Sequence, residues 1–206
     1  MNGFDIFTLL RDLGAIQINT QTPFTFSSGI QSPIYCDNRV VISHPSARNR
    51  LIDAMIERLQ LHQQHAFDVI AGTATAGIPH AAWLADRLNL PMIYVRAKAK
   101  AHGQKNLIEG SLHPQQRVLV VEDLISTGQS ALNAIQAIRD HGGLVTDCIS
   151  IVSYGFSDAH MAFKHQSVNL TQLMNLKEVI DSHHFPDADR QLLQHWHQYP
   201  RSWQPA

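Results

Sequence analysis

The sequence has few cysteines and no long apolar run, and each absence excludes a class of protein. Its only two cysteines, Cys36 and Cys148, do not form a Cys-x-x-Cys pair, so neither a disulfide-stapled secreted fold nor a paired-cysteine zinc site is expected. No apolar stretch approaches the roughly 18 residues of a membrane-spanning helix. Asp5, Arg11 and Asp12 interrupt the amino-terminal segment where a signal peptide would be apolar. We therefore expect a cytoplasmic protein with reduced thiols and no membrane association.

The sequence also has no excess of either charge. Its 16 Lys and Arg residues and 17 Asp and Glu residues give a net charge of -1, which offers little to neutralise nucleic-acid phosphates. Only 16% of the residues are charged, below the usual share of about a quarter, which favours a surface buried against another subunit. The 13 histidines lack cysteine or carboxylate partners at ligand spacing, so a zinc site is not expected. We expect self-association and no nucleic-acid partner.

Helical and extended patterns alternate along the chain. The predicted strands of the sheet are residues 69–71, 92–95, 118–121 and 145–152, and the predicted helices around them are 45–59, 79–88 and 127–141. Strands that are apolar at every position are typical of a parallel sheet covered by helices on both faces. We therefore predict an α/β fold, one domain over residues 1–206 with a doubly wound, mainly parallel sheet flanked by helices.

Segments outside this alternation begin and end the chain. An amino-terminal hood over about residues 1–40 is predicted to hold a helix at 4–13 and extended pieces at 16–18 and 24–26. A carboxyl-terminal tail over about 175–206 is predicted to form one or two helices separated at Pro186. We expect the tail to serve packing or an interface.

Two adjacent carboxylates, Glu122 and Asp123, follow the predicted strand 118–121. Ligands of open parallel sheets bind beyond the carboxyl ends of the strands, and neighbouring acids there need hydroxyl donors, a cation or solvent opposite them. A sugar diol with a nearby Mg²⁺ meets this need. Ser126–Ser130 then lead into a helix predicted from Thr127, whose first N–H groups can bind a phosphate. The alternative is a helix capped by Ser126 or Thr127 and preceded by two solvated acids.

Two other segments have the composition of anion-binding loops. The glycines of Gly72–Pro79 are spaced as in a Walker A loop, but Ile78 stands where the lysine belongs, so ATP hydrolysis is disfavoured. This segment either presents N–H groups to a pyrophosphate or is a tight strand-to-helix turn. Arg96–Gly110 is a long basic connection, which either closes over a polyanion or is a solvated loop.

Taken together, these segments resemble the orotate phosphoribosyltransferases, a family of type I phosphoribosyltransferases. Val118–Ser130 is similar to the family's signature for 5-phosphoribosyl 1-diphosphate (PRPP). Three further segments narrow the resemblance: Pro23–Arg39 in the hood, Tyr94–Arg96 running into Lys100–Gly103, and Glu109–Gly110. The resemblance covers about residues 4–160.

The resemblance implies transfer of ribose 5-phosphate from PRPP to N1 of orotate, giving orotidine 5'-monophosphate and pyrophosphate in pyrimidine synthesis. It also implies a homodimer whose mobile loop reaches the neighbour's site. It implies dependence on Mg²⁺ carried by PRPP, without direct metal ligands from the protein. The implied catalytic residues are Lys100, for the leaving group, and Asp123.

The implied binding residues form three sets. Those for PRPP are Arg96, Lys100 and His102 at the diphosphate, Glu122 and Asp123 at the ribose hydroxyls, Leu124 and Ile125 beside them, and Ser126, Thr127, Gly128, Gln129 and Ser130 at the 5'-phosphate. Those of the pyrophosphate loop are Thr73, Ala74, Thr75, Ala76 and Gly77. Those for orotate are Ser126, Tyr35 and Cys36.

The sequence departs from the common family pattern in several places. Ala97, Ala76 and Ser27 stand where many members have lysines, and a lysine falls at Lys98 instead. The arginine that several members use to bind the orotate carboxylate is absent from Cys148–Phe163. These changes occur together in one branch of the family, and backbone amides of the hood are our hypothesis for binding the carboxylate.

Two other functions fit the sequence less well. A purine phosphoribosyltransferase would share Glu122–Ser130 but lack the hood sequence Phe24–Arg39. A PRPP-sensing regulator that binds RNA or DNA would need a basic face, which a net charge of -1 does not favour.

Overall fold

The computed structural model of the protein describes residues 1–25, 31–62, 67–98, 106–182 and 184–204. The strands of this part of the chain are β1 Ile16–Ile18, β2 Phe24–Thr25, β3 Gln31–Ser32, β4 Ile34–Cys36, β5 Val69–Thr73, β6 Met92–Val95, β7 Ile108–Glu109, β8 Arg117–Ile125, β9 Leu144–Ser153 and β10 Asn169–Asn175. The α-helices are α1 Gly3–Asp12, α2 Pro45–His62, α3 Gly77–Leu88, α4 Gln129–Asp140, α5 Ser157–His165, α6 Leu176–Asp181 and α7 Asp187–Gln198, and Asn38–Ser43 forms a 3₁₀ helix.

A six-stranded sheet forms the centre of the fold, with the strand order β10-β9-β8-β5-β6-β7. All neighbouring strands are parallel except the edge pair β6 and β7, which is antiparallel. The predicted α/β fold with a mainly parallel sheet is therefore confirmed. Because the five parallel strands end at the same edge, the loops that follow them lie side by side. A single domain over the whole chain stays a prediction.

The sheet is buried on both faces, as its all-apolar strands predict. Along β8, Leu119 and Val121 pack into the cluster that contains residues of α1 and α2, whereas Val118 and Val120 pack into the cluster with α4. This alternation follows from the two-residue period of a strand. Each large side chain buried this way contributes about 1.5–3 kcal/mol, so the layers hold the central strands in fixed register.

The hood is fixed to this core by its first helix and by a short antiparallel pair. Helix α1 begins with a capping box, in which the Asn2 side chain accepts from the Asp5 N–H and the Asp5 carboxylate accepts from the Asn2 N–H, both at 2.9 Å. Strand β1 pairs with β4. The Asp37 N–H then donates to the Ala15 carbonyl at 2.7 Å, which leads the chain directly into the 3₁₀ helix.

Several predicted boundaries were wrong, and some elements were missed. Strand β5 continues to Thr73 and α3 begins at Gly77, two residues before the predicted start. Helix α5 was missed because only Ala159 and Phe163 of it are buried. Strand β10 was missed because it lies at the sheet edge and lacks a continuous apolar run. The predicted loop Arg96–Gly110 contains β7, and Phe26 of the predicted piece 24–26 lies outside the described residues.

The tail packs against the carboxyl edge of the sheet. Its helices α6 and α7 are separated around Pro186, which precedes the first residue of α7, as predicted. Trp196 of α7 is 1% exposed and its ring meets that of Tyr154 edge-on at a centroid distance of 6.0 Å. The tail thereby covers the loop that follows β9. In the described part of the chain no helix has the length and apolarity to cross a membrane.

Candidate active site

The two predicted acids lie inside strand β8 and not after it. The strand continues to Ile125, and Glu122 pairs with Ser150 of β9 in the parallel ladder. The expectation that the strand ends at Val121 was wrong because β9 extends the ladder beyond the acids. Glu122 is 6% exposed and Asp123 is half-buried.

The buried position makes ionisation of this acid pair unfavourable. Burial raises the pKa of both carboxyl groups, and the charge of Asp123 raises the pKa of Glu122 further. One Glu122 carboxylate oxygen accepts from the Asp123 N–H at 3.2 Å. Among the described residues no ion pair involves either acid. Hydroxyl donors or a cation beside the pair would favour its ionised form.

The loop after β8 leads into a helix whose N-cap has no side chain. Helix α4 begins at Gln129, and Gly128 before it has a left-handed φ of 78°. A Cβ at Gly128 would lie 2.7 Å from the Phe163 ring, so glycine is needed for both conformation and space. The alternative of a cap by Ser126 or Thr127 was wrong. The first N–H groups of α4 are available to an anion beside Ser126 and Thr127.

The predicted pyrophosphate loop lies next to the acid pair. After Thr73, residues 74–76 form a turn and α3 begins at Gly77. A Cβ at Gly77 would lie 2.5 Å from the Val121 carbonyl oxygen, so the first turn of α3 packs directly on β8 before Glu122. The structure thus brings Thr73, Ala74, Thr75, Ala76 and Gly77 to the same edge as the acids.

Arg96 is the first residue of the predicted mobile loop, or lid, of residues 96–110, and it lies within the described residues. It follows β6, which runs beside β5 with Thr73 opposite Val95. Its N–H donates to the Leu107 carbonyl at 2.8 Å and its guanidinium donates to Glu109 of β7 at 3.3 Å. Arg96 is therefore held at the carboxyl edge of the sheet. The other predicted diphosphate residues, Lys100 and His102, lie outside the described residues.

The hood places Tyr35 and Cys36 against this edge. The Tyr35 ring packs on that of Phe24 with centroids 5.6 Å apart. The Cys36 thiol donates to the Asn38 amide oxygen at 3.5 Å, and the Asn38 amide N–H donates to the Asp123 carbonyl at 2.8 Å. Burial raises the pKa of the Cys36 thiol, and the charges of Asp123 and Asp37 raise it further. Cys36 and the acid pair are therefore neighbours.

Sequence reasoning missed two residues of this region, Asn38 and Tyr154. Tyr154 directly follows β9, and its N–H donates to the Ile125 carbonyl at 2.8 Å. Burial raises the pKa of its phenol, with smaller effects from Cys36 and Tyr35, so the hydroxyl lies near the hood. Its position after a strand was a usable signal. Asn38 meets Asp123 across 85 positions of sequence, which no local pattern predicts.

A cavity of about 750 Å³ adjoins the loop after β8. It is lined by Ser126, Tyr154 and Trp196 and also by the cations Lys177 and Arg201. Lys177 forms an ion pair with Asp181. Asp158 and Asp181 also line the cavity, so charges of both signs lie close to Ser126.

No group of three or more His, Cys, Asp or Glu side chains in the described ranges is placed to hold a metal ion. Burial raises the pKa values of the two carboxyl groups of β8, and no ion pair among the described residues supplies them with positive charge. A cation delivered on a ligand would supply that charge.

Comparisons with known proteins agree with this geometry. The family model for the phosphoribosyl transferase domain matches residues 42–166. An orotate phosphoribosyltransferase of Coxiella burnetii is 47% identical over 205 residues, covering 98% of both chains. The crystal structure of the Aeropyrum pernix orotate phosphoribosyltransferase matches with a TM-score of 0.74 at 30% identity, covering 84% of this chain and 95% of that one.

A structure that contains PRPP is also similar. The Mycobacterium tuberculosis orotate phosphoribosyltransferase in complex with PRPP matches with a TM-score of 0.65 at 27% identity, covering 85% of this chain and 96% of that one. The resemblance read from the sequence is confirmed by these matches. With 47% identity over almost its whole length to one member, the chain belongs to the orotate phosphoribosyltransferase family of type I phosphoribosyltransferases.

Proposed function

We propose that this protein transfers ribose 5-phosphate from PRPP to N1 of orotate, giving orotidine 5'-monophosphate and pyrophosphate in pyrimidine synthesis, at the carboxyl edge of its sheet. The observation that carries the proposal is the buried acid pair of β8, which is followed by a helix start without a side-chain cap and is joined to the hood by hydrogen bonds. Family membership supports the same reaction.

Glu122 and Asp123 bind the ribose hydroxyls in this proposal. Breaking the anomeric C–O bond develops positive charge on the ribose and negative charge on the departing diphosphate. Carboxylates beside the ribose favour the first of these charges. Hydroxyl donors from the ribose favour the ionised carboxyl groups in turn, so substrate binding removes the cost that burial imposes on them.

The phosphates are bound on either side of the ribose. Residues 126–130 present hydroxyls and the first N–H groups of α4 to the 5'-phosphate. The loop of residues 73–77 and Arg96 line the place of the diphosphate, where Lys100 and His102 complete the set of cations. Lys100 stabilises the leaving group, because it is the cation whose place fits the family's loop.

When bound with PRPP, Mg²⁺ would neutralise charge that develops on the diphosphate. The fit is electrostatic, since the two buried carboxylates of β8 have raised pKa values and ionise more readily beside a cation. Glu122 and Asp123 are the residues that would face it.

The hood covers the base. Tyr35 and Cys36 lie above it and Ser126 contacts it from the loop after β8, while hood amides bind the orotate carboxylate. The proposal also includes a homodimer, in which the lid of one subunit closes the site of the other. The low share of charged residues supports a buried subunit surface.

The activity is tested by mixing the protein with orotate, PRPP and Mg²⁺ and following the loss of orotate absorbance. We expect turnover with orotate and none with uracil or hypoxanthine as acceptor. Turnover of hypoxanthine without orotate activity would contradict the proposal and favour a purine acceptor.

A further inference from the structure

Asn38 is a buried amide that connects two parts of the site. It is 1% exposed, and both ends of its side chain are used. Its oxygen accepts from the Cys36 thiol at 3.5 Å and its nitrogen donates to the Asp123 carbonyl at 2.8 Å. These two bonds fix the orientation of the amide and join the hood to β8.

The backbone of Asn38 is itself held in place. Asn38 is the first residue of the 3₁₀ helix, and the preceding Asp37 accepts from the Arg39 N–H at 3.1 Å. The Asp37 N–H donates to the Ala15 carbonyl at 2.7 Å. The amide therefore projects from a fixed frame, which a positioning role requires.

The bond to Asp123 lies where β8 has lost one neighbour. Strand β5 pairs with β8 only as far as Val121, and β9 alone continues beside it to Ile125. The acids thus lie on a segment supported by one strand. Asn38 supplies a hydrogen bond to the backbone of this segment, at the residue whose carboxylate the proposed function assigns to the ribose.

We propose that Asn38 is the positioning residue of the ribose-binding site, fixing the Asp123 backbone from the hood so that its carboxylate meets the ribose hydroxyls. This inference rests on the proposed role of Asp123. Through the Cys36 bond, the same amide joins the cover of the base to the acid at the sugar, so a shift of the hood reaches Asp123 directly.

The test is a double-mutant cycle in which Asn38→Leu and Asp123→Asn are made singly and together. Asn38→Leu keeps the branched shape of the side chain and removes the donor, and we expect it to lower kcat/KM for PRPP on the order of tenfold, since small displacements of a binding group are costly. In the Asp123→Asn background the same change should cost less than about twofold, because the carboxylate being positioned is absent.

A second variant and a control separate positioning from folding. The serine side chain of Asn38→Ser is too short to reach Asp123. This variant replaces Asn38→Leu in the double-mutant cycle if the leucine variant does not fold. Ser32→Ala removes another buried hydrogen-bonding group of the hood, whose hydroxyl bonds to Ile34 and to no other residue in the described part of the chain. We expect this control to lower the melting temperature but to leave kcat/KM for PRPP within about twofold.

The outcomes distinguish this inference from the proposed function. If Asn38→Leu lowered kcat/KM for PRPP about tenfold in the Asp123→Asn background as well, the positioning role would be overturned. A fall of the same size in Ser32→Ala would also overturn it. Unchanged PRPP affinity in Asp123→Asn alone would instead contradict the proposed role of Asp123.

Discussion

Carboxyl groups lie at both ends of strand β8, and their surroundings differ: Asp68, which precedes β5, lies at the amino end, and Glu122 and Asp123 lie near the carboxyl end. At its amino end, Arg117 forms two side-chain hydrogen bonds to Asp68, at 2.8 and 3.1 Å, and the Arg117 N–H donates a third at 2.8 Å. These bonds lower the pKa of Asp68 to about 2. At its carboxyl end, burial raises the pKa of Glu122 and Asp123. Asp68 thus has an arginine partner, whereas neither Glu122 nor Asp123 forms an ion pair among the described residues.

This contrast gives the two ends opposite pH dependences. The lowered pKa of Asp68 contributes stability above its unfolded value of 3.8 that is lost as pH falls toward 2. The raised pKa of the acid pair means that stability is greatest at low pH and is lost as the pair ionises with rising pH. A carboxyl pair that costs stability when charged is typical of a functional site.

The largest expected effect concerns the cation of the proposed lid. Lys100→Ala should lower turnover on the order of a hundredfold or more, because the leaving diphosphate loses its compensating charge. Steady-state rates with orotate and PRPP measure this, and Lys98→Ala in the same segment is the matched control. An unchanged rate in Lys100→Ala would remove its leaving-group role.

The next effect sharpens the contrast between the two ends of β8. Asp123→Asn should weaken PRPP binding on the order of tenfold or more, because a carboxylate that accepts from ribose hydroxyls is lost. Asp68→Asn, at the amino end, should leave PRPP affinity unchanged. Calorimetric titration with PRPP and Mg²⁺ compares them. Equal affinities in the two variants would mean that the ends do not differ in function.

A mixing experiment tests whether the cation and the acid of one site come from different subunits. If the lid acts across a homodimer, equal amounts of Lys100→Ala and Asp123→Asn chains should recover about a quarter of wild-type activity after exchange, since half of the dimers are mixed and carry one intact site. The separate variants are the controls. No recovery after demonstrated subunit exchange would indicate a lid that acts within its own subunit.

The smallest expected effect is the release of a fraction of a proton when PRPP binds. Because PRPP favours the ionised form of a pair whose pKa values are raised, binding near pH 8 should release a fraction of a proton that declines as pH rises further. Titrations in two buffers with different ionisation enthalpies measure it. The difference between wild type and Asp123→Asn cancels the titration of PRPP itself. Equal proton release in both proteins would contradict the raised pKa.

The sequence predicts the sheet better than the edge that forms the site. The strand around Val118 is apolar at every position from Val118 to Val121, so its burial on both faces is visible in the sequence. The end of β8 is not visible in the sequence, because Glu122 and Asp123 resemble the start of a loop. Only the ladder to β9 keeps them in the strand. The contact of Asn38 with Asp123 depends on how the hood packs, and no local spacing contains that information.

The central claim is that the acid pair at the carboxyl end of β8 binds the ribose of PRPP. A crystal structure of the protein with PRPP and Mg²⁺ tests this most directly. We expect ribose hydroxyl oxygens within hydrogen-bond distance of the Glu122 and Asp123 carboxylates, with the 5'-phosphate at the start of α4. A ribose bound away from both carboxylates would contradict it.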